Sequence, residues 1–459
     1  MNCWSAINNN GFTFFYTTFD ALQPLPLPAR HMANTGYAFM RTTSIFVLLA
    51  VATLRCSSSH ETAPACAGNT QYLAFQLFAS SSTEPTGANG TLRPLINESA
   101  IRSFFEAVHR EVGASSTPCR QPAVIIGPLA MDFASTDITT LIDQSFGLAR
   151  EYQIAVGFHL DDGMFWASRQ DLWKNPDNIE WTDWNGTPNT SRYVDWVSGR
   201  LAPMMCFNAP QVKSAVHEFM SSIATTIKRN VDLLSGSQKN LYAGTMVGWE
   251  TSLDRDRDSQ LATGYHGLTN QGYSSANPPA DVDAARVQLL HDYLEWMAAP
   301  FFEAGLPENK TYSHIAFLSK EYYDYAITVS PDFAKQTYSQ WNNFSIPAVA
   351  LGNHYLPGIS TYPQAAPAQL FHDIYGLVGD TPWVAAESAN VILSNVPLPS
   401  GYTTESFLAR HYNHGCLLVN VFAFQLRGDP FTNAINDASE GTDALAAYKK
   451  FLRGDVLKE

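Results

Sequence analysis

Short apolar segments that alternate with helix-like stretches constrain the fold of this chain more than any other feature of its sequence. The apolar runs are nearly continuous, as expected for strands covered on both faces in a parallel sheet. The predicted strands occupy residues 71–78, 123–130, 154–160, 241–249, 314–319, 346–352, 383–386 and 417–424. Between them, apolar residues recur at spacings of three and four, which is typical of amphipathic helices. Eight such units predict a single-domain (β/α)8 barrel, with an open doubly wound sheet as the alternative.

The N-terminal part of the chain differs from the predicted barrel. Arg41 precedes an apolar run over residues 45–54, and a serine-rich stretch follows that run. This order is typical of a secretory signal peptide, and the run is too short to span a bilayer. We therefore expect an extension without regular structure over residues 1–39, a signal peptide over 40–58 and the barrel over 59–459. A lipid anchor at Cys56 is the weaker hypothesis, because Arg55 directly before it fits such a site poorly.

The charge and the cysteine content of the chain limit the classes of binding partner and the cellular compartment that we expect. The formal net charge of −14 argues against nucleic acid or an anionic membrane as the partner. Cys66 and Cys119 precede the first two predicted strands, so they lie at the same end of neighbouring strands and predict a disulfide. Cys206 and Cys416 are expected to be free. Glycosylation sequons, which fit a secreted glycoprotein, occur at Asn89, Asn97, Asn185, Asn189, Asn309 and Asn343.

Metal and cofactor motifs are absent from the sequence. There is no Cys-x-x-Cys pattern, and no glycine-rich phosphate-binding loop follows any predicted strand. The alternating acids and bases at residues 254–258 lack the spacing of a calcium loop, so we expect them to be solvated and paired with each other. The sequence therefore predicts neither a metal nor a cofactor.

Two glutamates stand at the carboxyl ends of predicted strands. Glu250 closes the run over residues 241–249, and Glu387 follows the run over residues 383–386. A barrel of this kind binds its ligands at that end, where the two longest predicted loops also lie. Glycosidic cleavage needs a carboxylic acid that protonates the leaving oxygen and a carboxylate that attacks or stabilises the anomeric carbon. The alternative is that each glutamate pairs with an arginine or caps a helix.

Acidic residues that close strands four and seven are the arrangement of a large clan of retaining glycosidases with (β/α)8 barrels, which includes cellulase-like and β-galactosidase-like families. The chain resembles this clan over most of residues 66–455. The resemblance implies Glu250 as the general acid/base and Glu387 as the nucleophile. The chain departs from the clan at Trp249, because the clan usually places there an asparagine that binds the sugar 2-hydroxyl.

The residues expected to bind the substrate share a predicted place near the carboxyl ends of the strands. They are His159, Asp161, Asp162, Trp166, Trp249, Asn353, His354, Tyr355 and Trp383. The group at 353–355 is similar to the polar groups that many clan members keep beside the nucleophile. Trp166 begins a tryptophan-rich loop, which forms either a sugar-binding wall or a small core of its own. Trp249 and Trp383 are expected to lower the local polarity around Glu250 and help keep it protonated.

These expectations combine into one functional hypothesis with two alternatives. The chain is expected to be a secreted glycoside hydrolase that cleaves β-linked neutral oligo- or polysaccharides with retention, using two glutamates. One alternative is a secreted barrel that binds carbohydrate without cleaving it, as the departure at Trp249 suggests. The other is an inverting hydrolase in which Asp161 or Asp162 acts as the base.

Overall fold

The structure is a computed structural model, and it describes residues 69–78, 97–130, 133–162, 166, 169–191, 202–253, 255–256, 258–316, 349–361, 367–388, 401–422 and 443–459. All of these residues lie in one compact unit, Pro64–Glu459. The predicted extension and signal peptide lie outside the described residues. Within the described part, no helix has both the length and the apolar character needed to cross a membrane.

Eight strands form one sheet in which every neighbouring pair is parallel. They are β1 Gln71–Phe78, β2 Arg120–Ala130, β3 Ala155–Asp161, β4 Tyr242–Val247, β5 Thr311–Ser313, β6 Gly358–Thr361, β7 Trp383–Ser388 and β8 Cys416–Val421. The sheet order is β5-β4-β3-β2-β1-β8-β7-β6. The two end strands also meet, because the N–H of Ser313 donates to Leu356 O at 3.0 Å and that of Ser360 to Ile315 O at 2.9 Å. The predicted (β/α)8 barrel is therefore confirmed.

Helices follow the strands along the chain and cover the outside of the barrel. They are α1 Glu98–Glu111, α2 Ser135–Tyr152, α3 Gln170–Trp173, α4 Pro210–Asp232, α5 Tyr265–Asn270, α6 Val282–Glu303, α7 Pro367–Val378, α8 Thr404–Tyr412 and α9 Ala444–Leu452. Asn97 begins α1, since its side-chain oxygen accepts the N–H of Ala100 at 3.0 Å. The face of α1 that contains Ile101 and Phe105 is buried, as its 3–4 spacing predicts.

The core has two layers, one inside the barrel and one between the strands and the helices. Small side chains line much of the inside, among them Ala74, Ala123 and Ala243. The space they leave is filled by large side chains such as Tyr312, whose hydroxyl donates to Ala243 O at 3.0 Å. The outer layer is larger and joins the outward faces of the strands to the buried faces of the helices. This division is the one expected when strands are covered on both sides.

The predicted positions of the fifth and sixth strands are wrong. β5 ends at Ser313, and His314 follows it rather than opening a strand. Val349 and Ala350, inside the predicted sixth strand, are helical, whereas β6 begins only at Gly358. The apolar run before it was the stronger signal, while β6 itself is four residues long and ends in two hydroxyl residues. A strand with so little apolar character does not produce the pattern from which buried strands are predicted.

The cysteines agree with the sequence where the structure describes them. Cys206 and Cys416 are free and buried, as predicted. Cys119 is bonded in a disulfide whose partner lies outside the described residues. Its pairing with Cys66 therefore stays a prediction.

Candidate active site

Glu250 lies in a strained turn directly after β4. It has a φ of +48°, and Gly248 two residues earlier has a φ of +84°. The buried Asp162 at the end of β3 holds this turn: its Oδ1 accepts the N–H of Trp249 at 3.2 Å and the Thr251 hydroxyl at 2.9 Å. A non-glycine residue in the left-handed region costs free energy, and such residues persist where surrounding contacts fix them, often at functional sites. Asp162 thus fixes the turn that positions Glu250.

A chain of hydrogen bonds leads from Glu250 into the barrel. The Ser360 hydroxyl, on β6, donates to Glu250 Oε1 at 2.6 Å. The same hydroxyl lies 2.8 Å from His314 Nε2, and His314 Nδ1 lies 2.9 Å from His159 Nε2. The three residues that extend the chain inward come from β6, the end of β5 and β3, and all three are buried. Glu250 is therefore bound to the inner wall of the barrel across four neighbouring strand ends.

Glu387 lies at the same level of the barrel as this chain. It is the last but one residue of β7 and is 7% exposed. Its register partner on the adjacent strand is Ser360, the residue that binds Glu250. Adjacent strands lie about 4.8 Å apart. Glu387 therefore lies on the strand next to Ser360, the residue whose hydroxyl binds Glu250.

The two histidines in this chain of hydrogen bonds, His159 and His314, are uncharged. Burial lowers the pKa of His159 to about 3, and a backbone hydrogen bond with Gly248 only partly opposes this effect. Burial also places the pKa of His314 well below its ordinary value, and the neighbouring His159 lowers it further. Each ring is neutral near pH 7, with one donor and one acceptor nitrogen. The chain therefore acts on Glu250 through hydrogen bonds rather than through a positive charge.

Trp249 packs against this chain. Its ring is stacked on the His159 ring, with centroids 4.3 Å apart and an interplanar angle of 1°. The Phe422 ring, just after β8, meets Trp249 edge-on at 6.0 Å. Trp249 is only 9% exposed. The residue that departs from the clan pattern thus covers His159 and makes the surroundings of Glu250 less polar.

The strand-three acids are both buried. Asp161 ends β3, and Asp162 follows it. The contacts of Asp162 with Trp249 and Thr251 are those of a residue that supports a loop, one of the two roles considered from the sequence.

Four predicted substrate-binding residues lie at the other end of the barrel. Asn353, His354 and Tyr355 precede β6 instead of following a sixth strand, and Trp383 begins β7 instead of ending it. Their predicted position at the mouth is therefore wrong. Asn353, His354 and Tyr355 were misplaced because the sixth strand was predicted too early in the sequence. Trp383 was misplaced because it begins the strand that Glu387 nearly ends.

Three of these residues also have structural partners where they lie. His354 Nδ1 is 2.6 Å from Glu295 Oε2 on α6, and the Tyr355 hydroxyl donates to Val349 O at 2.8 Å. Trp383 Nε1 donates to His414 O at 2.8 Å. None of these contacts involves a residue of the mouth.

Where it is described, the tryptophan-rich loop packs against the outer core layer, to which Trp166 belongs, and does not form a separate core. Trp166 is fully buried, and its Nε1 donates to Pro203 O at 2.5 Å. Trp181 stacks on His266 with centroids 4.0 Å apart. The buried Glu180, which precedes Trp181, accepts the N–H of His266 at 3.2 Å at the beginning of α5. Burial raises the pKa of the Glu180 carboxyl to about 7 against the opposing hydrogen bonds from the α5 backbone.

Asp256 ties together the two long loops after β3 and β4. Its Oδ2 accepts the side-chain amide of Asn189 at 2.8 Å and the N–H of Thr190 at 2.8 Å, while its Oδ1 accepts the N–H of Ser259 at 2.7 Å. Burial raises the pKa of Asp256, but hydrogen bonds from Ser259 and Thr190 outweigh burial and lower it to about 2. The expectation of a solvated segment is wrong for Asp256, which is 3% exposed. The predicted sequon at Asn189 is buried too, and its amide nitrogen is engaged.

The described residues contain no group of three or more His, Cys, Asp or Glu side chains arranged to hold a metal ion. The donor that the described residues show for Glu250 is the Ser360 hydroxyl, which also contacts the neutral imidazole of His314. The sequence singled out His159 but not its partners His314 and Ser360. Their positions directly at the ends of β5 and β6 are the signal that would have found them, had those strands been placed correctly.

No protein-family model matches the sequence, and no curated protein matches it. Among solved structures, the chain is similar to an endo-β-1,4-mannanase from Thermotoga petrophila, at 12% identity and a TM-score of 0.43, over 86% of this chain and 79% of that one. It is also similar to a GH5-4 broad specificity endoglucanase from Ruminococcus champanellensis, at 11% identity and a TM-score of 0.38, over 83% and 96%. A D-allulose 3-epimerase from Methylomonas sp. matches at 6% identity and a TM-score of 0.34, over 84% and 98%.

The structural likeness is thus to GH5 glycoside hydrolases and to other TIM-barrel enzymes, and it is distant in every case. No specific family is shown by the sequence. One barrel architecture hosts many chemistries, so the likeness concerns the fold, and function has to be argued from the site.

Proposed function

We propose that the chain is a secreted glycoside hydrolase that cleaves β-linked neutral oligo- or polysaccharides with retention of configuration. The observation that carries this proposal is the place of Ser360. Its hydroxyl binds Glu250, and its register partner on the next strand is Glu387. One glutamate is thus bound by Ser360 and the other is its register partner on the neighbouring strand, which supports the pair of carboxylates that glycosidic cleavage requires.

The proposed reaction has two displacement steps. In the first, a Glu387 oxygen bonds to the anomeric carbon as the bond to the leaving oxygen breaks, and Glu250 gives its proton to that oxygen. In the second, Glu250 takes a proton from water, the water oxygen bonds to the anomeric carbon, and the Glu387 carboxylate is released. Glu250 ends each cycle protonated, and Glu387 ends it ionised.

The surroundings of the two glutamates support this division of roles. Trp249 and the neutral His159 create an environment of low polarity near Glu250, which favours the protonated form of an acid. Glu387 is buried and lies next to the end of β7, which supports a position at the mouth where it could reach the anomeric carbon. The resemblance to the retaining clan assigns the same roles.

The inverting alternative has less support from the contacts. An inverting enzyme would use Asp161 or Asp162 as the base that activates water. Oδ1 of Asp162 is occupied by the turn that carries Glu250, and both aspartates are 2% exposed. A base committed to two loop contacts is poorly placed to receive a proton from water.

Hydrolysis of β-1,4-glucans, β-1,4-mannans and aryl β-glycosides by Glu250→Gln and Glu387→Gln tests the proposal. We expect each variant to lose activity by at least about a hundredfold, because each lacks an ionisable group that the reaction needs. Glu295→Gln is the matched control, since it changes a glutamate at the opposite end of the barrel that binds His354. Full activity in either site variant would remove that residue from its role. Oligosaccharide binding without any turnover by the native protein would favour the non-catalytic alternative.

Rescue by azide assigns the two roles separately. With an activated aryl β-glycoside, Glu387→Ala should give the α-glycosyl azide, because the anion takes the place of the missing nucleophile. Glu250→Ala should give the β-glycosyl azide, because the anion attacks a glycosyl-enzyme that still forms on Glu387. The reverse assignment of products would exchange the roles, and inverted products from the native enzyme would refute retention.

A further inference from the structure

We propose that a cavity at the amino ends of the strands, at the end of the barrel away from Glu250, binds a small tetrahedral oxyanion such as sulfate or phosphate. The cavity has a volume of about 170 Å³, and its lining combines one amine with amide and hydroxyl groups. The lining residues are Asn69, Thr70, Asn240, Asn309, Lys310 and Leu417. This inference is independent of the proposed function, because it concerns other residues and a different kind of ligand.

The cavity lies where four strands begin. Thr70 directly precedes β1, and Lys310 directly precedes β5. Asn240 lies two residues before β4, and Leu417 is the second residue of β8. Because all strands of the sheet are parallel, their amino ends lie at one end of the barrel and Glu250, which follows β4, lies at the other. The cavity is thus separate from the candidate active site.

Lys310 brings two unused hydrogen-bond donors to this cavity when its amine is charged. Its Nζ lies 2.9 Å from the Tyr72 hydroxyl and 4.1 Å from the centroid of the Tyr72 ring. The Tyr72 hydroxyl donates to Asn240 O at 3.1 Å, so its oxygen accepts one N–H of Lys310. A charged amine has three N–H groups. Among the described residues no second acceptor contacts Nζ, and two N–H groups are therefore left for a ligand.

Lys310 also lacks a negative partner in the part of the chain that the structure describes. No carboxylate there pairs with it, and no acidic residue lines the cavity. Burial therefore lowers the pKa of the Lys310 amine to about 7 without an opposing charge. Charges removed from water are ordinarily paired with an opposite charge. An anion in the cavity would supply that charge, whereas a metal cation would be repelled by the amine.

Asparagine amides complete the set of donors. Asn309 Nδ2 donates to Asn69 Oδ1 at 3.4 Å, which links two lining residues and leaves Asn309 its second amide N–H. Asn240 and Thr70 add a further amide and a hydroxyl. A tetrahedral oxyanion accepts hydrogen bonds on several oxygens at once, and bonds from donors to a charged acceptor are the stronger ones. The lining therefore fits an oxyanion by charge and by number of donors.

Lys310 is the group that makes anion binding depend on pH near neutrality. Two exposed residues of opposite charge, Lys239 and Glu308, directly precede lining asparagines in the sequence. The titratable groups on the adjoining strands are uncharged near pH 7, because burial raises the pKa of each; they are Tyr72, Tyr242, Tyr312 and Cys416. Binding of an anion should hold the proton on Lys310, and the affinity should fall as the pH rises and the free amine loses that proton.

Calorimetric titration of the full chain with sodium sulfate at pH 6, in a phosphate-free buffer of low ionic strength, measures the binding. We expect one sulfate per chain, and about tenfold weaker binding or less in Lys310→Met, because charge-assisted hydrogen bonds are lost. Asn240→Ala keeps Lys310 and the backbone carbonyl that binds Tyr72, and should weaken binding by a smaller factor. Lys213→Met is the matched control, since Lys213 Nζ also lies over an aromatic ring, 3.9 Å from the Trp296 centroid, but outside the cavity.

The ¹⁵Nζ NMR signal of Lys310, identified by its absence in Lys310→Met, tests the charge. Compared with chloride at the same ionic strength, sulfate should raise the titration midpoint of Lys310 by about one to three pH units, as a nearby opposite charge does. The affinity for sulfate, which stays doubly charged in this range, should fall by about tenfold or more between pH 6 and pH 9.

Three results would overturn the proposal: no sulfate binding to the native chain, native affinity in Lys310→Met, or the same loss in Lys213→Met. An unchanged Lys310 midpoint in sulfate would overturn it as well. A comparison of phosphate with glucose 6-phosphate at pH 6 then identifies the source of the anion. Tighter binding of the ester would assign the cavity to the phosphate group of a larger molecule, and equal or weaker binding would assign it to the free ion.

Discussion

Gly248→Ala is the substitution that most directly tests how Glu250 is held. Gly248 has a φ of +84°, and a Cβ atom there would lie 2.2 Å from Thr251 Oγ1. That hydroxyl is the one that donates to Asp162 at 2.9 Å. The added methyl group therefore displaces Thr251 and weakens the contact that keeps Glu250 in its turn.

The expected loss of stability has two parts. An alanine in the left-handed region costs roughly 1–2 kcal/mol. Loss of the hydrogen bond from Thr251 to the buried Asp162 carboxylate adds about 1.5–3 kcal/mol. The sum, about 2.5–5 kcal/mol, is a large part of the 5–15 kcal/mol that is typical of the folded state. Displacement of a catalytic group by about 1 Å costs roughly a hundredfold in rate, and we expect at least that loss in kcat/KM.

Gly415→Ala separates these two parts. Gly415 has nearly the same conformation, with a φ of +81°, but nothing lies within 4 Å of the added Cβ atom. It should lose only the conformational part, roughly 1–2 kcal/mol, and keep its activity. Urea unfolding gives both free energies, and hydrolysis of an aryl β-glycoside gives kcat/KM. Equal losses of stability in the two variants, or full activity in Gly248→Ala, would show that the turn does not position Glu250.

Two further predictions concern charged groups outside the chain of hydrogen bonds that ends at Glu250. Asp256→Asn should destabilise the protein by about 1.5–3 kcal/mol, because an amide nitrogen would face N–H donors; since the native pKa is about 2, the contribution of Asp256 is present above pH 4 and is lost as the pH falls toward 2. Unfolding at pH 3 and pH 7 measures both effects, and equal stability of native and variant protein at pH 7 would contradict them. Burial lowers the pKa of Lys310 to about 7, so the folded state disfavours its charge, and Lys310→Met should gain stability at pH 6. That gain should shrink as the pH rises toward 10, and a gain independent of pH would exclude the charge as its cause.

The sequence was sufficient to predict the barrel architecture and the positions of the two glutamates at strand ends, because both depend on strong local patterns. Apolar runs over β1, β2, β3, β4, β7 and β8 are buried on both faces, so hydrophobicity alone locates them. Glu250 and Glu387 stand out since each ends such a run. Their places at the mouth follow once the number of strands is known.

The sequence failed where the inner wall of the barrel is polar. Ser360 and Thr361 make β6 less apolar than the other strands, and their hydroxyls bind His314 and His411 inside the barrel. The same choice of residues that builds the candidate site removes the signal that locates the strand. Departures from local rules are expected at functional sites, and β6 is an example of this conflict.

A second prediction failed because charged residues were interpreted without the residues that they contact. The alternating charges at residues 254–258 are typical of a solvated loop, but Asp256 is buried by Asn189 and Thr190 from the other long loop. Nothing in the local pattern shows that the two loops meet, since 66 residues separate Thr190 from Asp256. Contacts of this kind depend on the closed barrel, which brings the loops after β3 and β4 together.

The fold and the candidate site support the proposed function with unequal strength. A barrel with eight parallel strands hosts many unrelated chemistries, so the fold does not select a reaction. The contacts around Glu250 are more selective, because they hold an acidic residue in a strained conformation and lead through Ser360 to the strand next to Glu387. Among the described residues, the Ser360 hydroxyl binds Glu250 and two neutral imidazoles continue that chain of hydrogen bonds, so these contacts bring no positive charge to the carboxyl group. That combination is what an acid that must give up and recover a proton in each cycle requires.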